Sequence, residues 1–258
     1  MNLTYRVMDP TGNITLLVAT PVPEEAQPAV AAALMAAEPN AEQVGFFAQD
    51  AEADIALRMA GGEFCGNAAM SAAVCASEKA GKDTGAFTVR VSGAERPVRA
   101  EVARQPDGGY IATVDMPRPA AIERLLLPGA GTVPVVHIPG ITHIVLTEPM
   151  PRPLAERQAR AWCAALGADA LGLMFLDLRA QRLTPLVYVP GADTLCWETS
   201  CASGTTAAGA YLASEASARL TVTLRQPGGS LTVEAGGDDP PRLTGTVRIG
   251  ARDRKSVV

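Results

Sequence analysis

Runs in which apolar and polar residues alternate make up much of this chain, and Ala-rich stretches of helical spacing interrupt them. The first half predicts strands over 3–8 and 14–19 around the turn Asp9-Pro10-Thr11-Gly12-Asn13, then a helix over 24–37 stopped by Pro39. Strands over 44–48 and 54–59 follow, then an Ala-rich helix over 66–79 ending at Gly81, then strands near 86–92, 97–103 and 110–115. The second half predicts the same order. Strands near 132–137 and 142–147 lead to a helix over 154–166 ending at Gly167. Strands near 172–177 and 184–189 lead to a helix over 202–215, with strands near 218–224, 229–235 and 242–248 after it. Met116-Pro117-Arg118-Pro119 reads as the linker, and the polar tail from Ala251 reads as frayed. The pattern gives an α/β (α+β) chain of two lobes, 1–117 and 118–258, with the last strand able to pack back on the first lobe.

The repeat extends to a motif. Gly61-Gly62-Glu63-Phe64-Cys65-Gly66-Asn67-Ala68-Ala69 lies in the first half and Trp197-Glu198-Thr199-Ser200-Cys201-Ala202-Ser203-Gly204-Thr205 in the second. Each places an acidic residue and then a cysteine at the start of a small-residue helix. The two cysteines are close to half the chain apart, which suggests a pseudo-twofold molecule in which the thiols face each other.

A helix start offers unpaired N–H donors and a partial positive charge. A cysteine there is expected to have a lowered pKa, and the free N–H groups bind a carboxylate. Two such starts aimed at one small molecule suit inversion of an amino-acid α-carbon: one thiolate removes the α-proton and the opposite thiol returns one to the other face. N–H groups around Gly66-Asn67 and Ala202-Ser203 would hold the anionic intermediate, and bulk at Gly66, Ala202 or Gly204 would block close approach of substrate to the backbone.

Composition narrows the chemistry. The lysines are Lys79, Lys82 and Lys255, none placed for a pyridoxal phosphate Schiff base, and neither nucleotide-binding glycine motif occurs, so no cofactor is implied. With two histidines, five cysteines and no C-x-x-C pair, neither a metal site nor a disulfide framework is expected. A net charge of −5 without basic runs, and only 4% aromatic residues, argue against nucleic acid and anionic membranes. No secretory signal and no membrane-spanning run is visible, which makes the cytoplasm the default.

These motifs resemble the diaminopimelate epimerase-like superfamily of cofactor-independent racemases. Cys65-Gly66-Asn67-Ala68 is similar to its first signature and Glu198 to Thr205 to its second, while Met8-Asp9-Pro10-Thr11-Gly12-Asn13 is similar to its N-terminal strand and turn. The resemblance implies two domains, each an antiparallel sheet curled around a central helix, with the site between them. It implies Cys65 and Cys201 as the catalytic base and acid, and substrate contacts from Asn13, Gln43, Gly66, Asn67, Ala202, Ser203 and Gly204.

The substrate expectation comes from departures. No arginine lies between Arg182 and Cys201 to meet the distal carboxylate of diaminopimelate, and Ile141 and Thr184-Pro185 stand where that subfamily has asparagines. A carboxylate left desolvated without its cation is costly. The Gly-Gly-Glu-Phe-Cys-Gly-Asn form resembles instead the histidine racemases that feed opine-type metallophore synthesis, which implies histidine as the small-molecule substrate. Diaminopimelate epimerase is the alternative of the same class, and a thiol redox sensor the alternative of another. The assembly stays open, a homodimer included. Among the remaining residues, Cys75, Cys163 and His137 are expected to be structural, and His143 structural before catalytic. Cys196 is expected to pack before lining the pocket. Glu63 and Glu198 are expected either to act on the helix starts or to contact substrate, and Trp197 either to wall the pocket or to pack between the lobes.

Overall fold

The computed structural model describes residues 1–257, the side chains of residues 192 and 251–257 excepted. The chain divides into two compact units, one formed by Met1–Asp115 with the chain from Thr244, the other by Met116–Leu243.

The first unit contains β1 (Asn2–Pro10), β2 (Thr15–Val18), α1 (Gln27–Ala37), β3 (Gln43–Ala48), β4 (Ile55–Met59), α2 (Gly66–Ala80), β5 (Thr84–Val91), β6 (Val98–Arg104) and β7 (Tyr110–Asp115). The second contains β8 (Ala121–Leu127), β9 (Gly131–Ile138), β10 (Ile141–Leu146), α3 (Arg152–Leu166), β11 (Leu171–Asp177), β12 (Arg182–Val189), β13 (Thr194–Trp197), α4 (Ala202–Ala216), β14 (Leu220–Gln226) and β15 (Gly229–Ala235). The last strand, β16 (Arg242–Val257), completes the first unit, where β1 pairs with it antiparallel. The backbone therefore continues as a strand where a frayed tail from Ala251 was expected. The pattern also misses β8 and β13.

In the first unit the strands run β1-β2-β3-β4-β5-β6-β7-β16, and the β1–β16 pairing closes the ring. The second unit runs β15-β14-β12-β11-β10-β9-β8, with β13 beside β12. The parallel pairings are those spanned by a helix: β2–β3 around α1 and β4–β5 around α2 in one unit, β10–β11 around α3 and β12–β14 around α4 in the other. Hairpins give antiparallel neighbours and helical crossovers give parallel ones, so the repeated order of elements produces the same mixed sheet twice.

The two kinds of helix have different composition because they have different surroundings. α3 buries one stripe, Ala155, Ala159, Trp162 and Cys163, against the sheet and turns its remaining faces outward. α2 is buried from Gly66 through Ser77 and packs on β1, β4, β5, β6 and β7. α4 packs on β9, β10, β11, β14 and β15. A helix wrapped by strands has no polar face to expose, and small side chains let the strands approach it. At Gly209 a Cβ would lie 2.4 Å from Val233 Cγ1. We expect Gly209→Ala to cost about 1–3 kcal/mol in chemical denaturation. Adding Val233→Ala should cost less than its single-variant loss, and strictly additive losses would refute this packing account.

Candidate active site

Cys65 is the N-cap of α2, with extended backbone (φ −131°, ψ 113°), and its Sγ accepts the Ala68 N–H at 3.4 Å. It is half-buried. Gln43, on β3, reaches the same sulfur, its Oε1 accepting the thiol proton at 3.0 Å. The amide nitrogen of Gln43 donates to Asn13 Oδ1 and, at 2.8 Å, to Thr15 Oγ1. Asn13 in turn donates to Glu42 Oε2 at 2.6 Å. With both donors of Gln43 committed, its carbonyl is the end left for the sulfur. Asn13, Gln43 and Cys65 thus form one connected group, and Asn67 is buried in the first turn of the same helix. The β5–β6 turn props this loop: Gly93 has φ +75°, and a Cβ there would lie 2.4 Å from Phe64 N. Glu63 is exposed.

Cys201 repeats the geometry in the second unit. It is the N-cap of α4 (φ −126°, ψ 109°), and its Sγ accepts the Gly204 N–H at 3.3 Å. Ser203 Oγ lies 3.6 Å from the sulfur. Here the surroundings differ. Burial pushes the Cys201 thiol well above its ordinary pKa. Glu198 pushes it further, by its charge and by a hydrogen bond to the sulfur, while Ser203 and the Gly204 N–H pull the other way. The expectation that a helix start lowers the thiol pKa therefore fails at Cys201, because desolvation outweighs the dipole. The two acidic residues of the motifs are not equivalent either, since Glu198 Oε2 is buried. At Gly204 the space is taken by the protein itself: a Cβ would lie 2.1 Å from Met174 Sδ and 3.1 Å from Cys201 Sγ.

The other singled-out residues lie apart from these groups or behind them. Cys75 is buried, with Arg6 donating to its sulfur at 3.6 Å. Cys163 is buried and donates to Ala168 O, and Cys196 is exposed rather than packed. Trp197 stacks on Phe175, donates to Glu156 Oε1 at 2.8 Å and lies under the Arg152 guanidinium. It is a packing residue against α3 within its own unit. His137 bonds Glu123 and Thr142. His143, on β10, is fully buried, and neither ring nitrogen has a hydrogen-bond partner among the described residues.

The profile of the histidine racemase CntK N-terminal domain family matches residues 2–252. The chain belongs to the histidine racemase family. This is a family of isomerases, and the relatives agree. The chain is 32% identical to a histidine racemase of Staphylococcus aureus over 241 residues, covering 87% of this chain and 85% of that protein. It is 29% identical to a histidine racemase of Fusobacterium nucleatum over 222 residues, 81% of each. Among solved structures, the hydroxyproline epimerase of Agrobacterium vitis superposes with a TM-score of 0.71 at 13% identity, covering 98% of this chain and 92% of that one, a likeness of fold. No helix among the described residues is long and apolar enough to cross a membrane.

In this member of the histidine racemase family, three supports of the thiols were not foreseen. Thr15 and Gly93 support the Cys65 group, and Gln226 bonds the Cys201 backbone. Gly93, in a turn, carried a weak signal. The two polar residues carry none, because Thr15 opens a continuous apolar strand and Gln226 ends an alternating one, and each owes its partner to tertiary contact.

Burial lowers the His143 pKa from 6.5 to about 3. Between those values the folded state binds fewer protons than the unfolded chain. Stability present above the unfolded pKa is therefore lost as the pH falls toward the folded one. A His143→Gln variant removes this contribution. The wild-type-minus-variant stability, measured by urea denaturation, should be flat above pH 7 and fall by up to about 1.4 kcal/mol per pH unit below 6. A difference that stays flat through that window would show His143 to be protonated without penalty.

Proposed function

We propose that this protein interconverts L- and D-histidine without a cofactor, with Cys65 and Cys201 as the two acid–base groups acting on opposite faces of one α-carbon. The observation that carries the reading is the equivalence of the two helix starts. Each unit presents a cysteine N-cap with nearly the same backbone angles and a sulfur held by the N–H three residues on. Family membership supplies the substrate, and the Gly-Gly-Glu-Phe-Cys-Gly-Asn form, which resembles racemases of opine-type metallophore synthesis, supports a role in making D-histidine for such compounds.

The two thiols have different partners: the Cys65 S–H donates to the Gln43 carbonyl, and Cys201 lies beside the Glu198 carboxylate, which favours its protonated form. One direction of the reaction starts with Cys65 as thiolate and Cys201 as thiol. In the forward step the Cys65 thiolate takes the α-proton, and the bonding electrons stay on the substrate as a carbanion delocalised into its carboxylate. The Cys201 S–H then gives its proton to the opposite face, leaving the thiolate on Cys201 and the thiol on Cys65. The reverse direction exchanges the roles. In this reading N–H groups of the first turns of α2 and α4, near Asn67, Ser203 and Gly204, stabilise the carboxylate as charge grows on it, with Asn13 and Gln43 contributing the polar wall beside Cys65.

Incubating L- and D-amino acids in D2O tests this directly. Histidine should gain deuterium at the α-position and racemise fastest. Cys65→Ala and Cys201→Ala should each lower kcat by about 100-fold or more, and Cys75→Ala should leave most of it. Wild-type rates of racemisation in both active-site variants would refute the mechanism, and faster turnover of diaminopimelate would refute the substrate.

A second measurement concerns Glu198. Its carboxylate favours the protonated thiol of Cys201, so Glu198→Gln should move the alkaline limb of kcat/KM to lower pH. An alkaline limb that does not move would remove Glu198 from the reaction.

A further inference from the structure

Around Cys201 every backbone hydrogen-bonding group is tied down by one side chain from a distant strand and one from the next helical turn. Gln226, at the end of β14, accepts the Cys201 N–H on its Oε1 at 2.8 Å. Its Nε2 donates to Thr205 Oγ1 at 2.8 Å. Thr205 spends its own proton on Cys201 O at 2.7 Å, the carbonyl that also accepts the Thr205 N–H at 3.0 Å. The three side-chain bonds close a ring that starts and ends on Cys201. All members are buried: Gln226 is 7% exposed, Cys201 5% and Thr205 0%. The turn after Gln226 is docked on the same loop, with Gly228 N–H donating to Thr199 O at 2.7 Å.

We infer that Gln226 is a positioning residue for the reaction, fixing the peptide groups on both sides of Cys201 so that its sulfur is held in one direction over the start of α4. The inference rests on the racemase reading for its kinetic consequence.

The chemistry selects a glutamine. The ring needs one side chain that accepts from an N–H and donates to a hydroxyl at once, because the proton of Thr205 is already used. A glutamate has no proton to give Thr205 and adds a charge beside a sulfur that already faces Glu198. A methionine fills similar volume and can neither accept nor donate as required, leaving the buried Cys201 N–H without its acceptor and the Thr205 hydroxyl oxygen without its donor. The first unit uses its glutamine differently: Gln43 touches the Cys65 sulfur itself. Loss of Gln226 should therefore disturb one thiol and spare the other.

The experiment compares Gln226→Met, Thr205→Val and Thr205→Ser with wild type. Thermal unfolding and kinetics are recorded on the same preparations. For Gln226→Met and Thr205→Val, kcat should fall about 10- to 100-fold with KM nearly unchanged, as for a misaligned reacting group. In D2O the losses should be unequal. The enantiomer whose α-proton faces Cys65 should keep exchanging deuterium while inverting little, and its mirror image should lose exchange and inversion together. Thr205→Ser, which keeps the hydroxyl, should keep the wild-type ratio of exchange between enantiomers. The double variant should be no worse than the poorer single one, since either substitution opens the ring.

A readout without substrate separates this inference from the functional reading. Iodoacetamide labelling, followed peptide by peptide in the mass spectrometer, should change its rate at Cys201 in Gln226→Met and Thr205→Val and keep it at Cys65. If the wild type neither exchanges nor racemises any amino acid, the functional reading fails and labelling alone decides the ring. Parallel changes at both cysteines, or an unchanged exchange ratio with reduced kcat, would make Gln226 merely structural and overturn the inference. Should Gln226→Met not fold, Thr205→Val and Thr205→Ser give the same two outcomes.

Discussion

The constraint on which the site depends is a thiol placed as a helix N-cap. An N-cap residue must leave the helix with extended backbone while its side chain turns back to accept an N–H of the first turn. At Cys65 and Cys201 that requirement fixes the sulfur against the helix start, with the Ala68 and Gly204 N–H groups as the fixed points. The rest of each unit serves this placement. Small residues let α2 and α4 lie inside their sheets, and the strands of the sheets bring Gln43 to one sulfur and Gln226 to the backbone of the other. Gly93 and Met174 close the remaining space around the loops. A larger residue at Gly204 or Gly93 would have to move a neighbour that the cysteine loop leans on.

Helix polarity does not by itself decide the protonation of such a thiol. The partial charge at a helix start is worth about 0.3–1 kcal/mol when exposed and up to about 2 kcal/mol when partly buried. Full burial moves a titrating group by as much as 3–5 pKa units, at about 1.4 kcal/mol each. At Cys201 burial and the Glu198 carboxylate act together against the Gly204 N–H and Ser203, and they win. A motif read as "cysteine at a helix start" predicts position correctly and charge state wrongly, because the second depends on what the fold packs around it.

The same distinction runs through the fold. Periodicity reveals α2, α3 and α4 and their ends, because the Ala-rich runs and the stripe of α3 are local. It does not reveal β8, whose Ala121–Leu127 is exposed along most of its length and shows no alternation, nor β13, four residues between a Pro-Gly turn and the cysteine motif. Resemblance supplies Asn13 and Gln43 as site residues, and the hydrogen bonds that join them to Cys65 give that expectation a physical form. Gln226 was beyond reach of either method. Its neighbours Leu224 and Arg225 are ordinary strand residues, and only the return of β14 beside α4 makes the Gln226 amide a partner of the Cys201 backbone. Trp197 is open to two placements in the sequence, and its indole N–H, committed to Glu156 on α3, is a contact that periodicity does not show.

The unequal partners of the two thiols bear on how far an isomerase of this kind can depart from symmetry. Enantiomers have equal free energy in water, so the proposed reaction has an equilibrium constant of one whatever the protein does. The resting proton carries no such restriction. The Gln43 carbonyl that accepts the Cys65 proton and the carboxylate beside Cys201 each favour a thiol, and each pKa unit by which the sulfurs differ adds about 1.4 kcal/mol to the form needed by one enantiomer. Too large a gap would leave that enantiomer without a usable base. Ser203 and the Gly204 N–H, which favour the Cys201 thiolate, oppose the shift that Glu198 and burial produce at that sulfur. The ring through Gln226 adds no charge of its own, and so it can hold the sulfur in place without disturbing that balance.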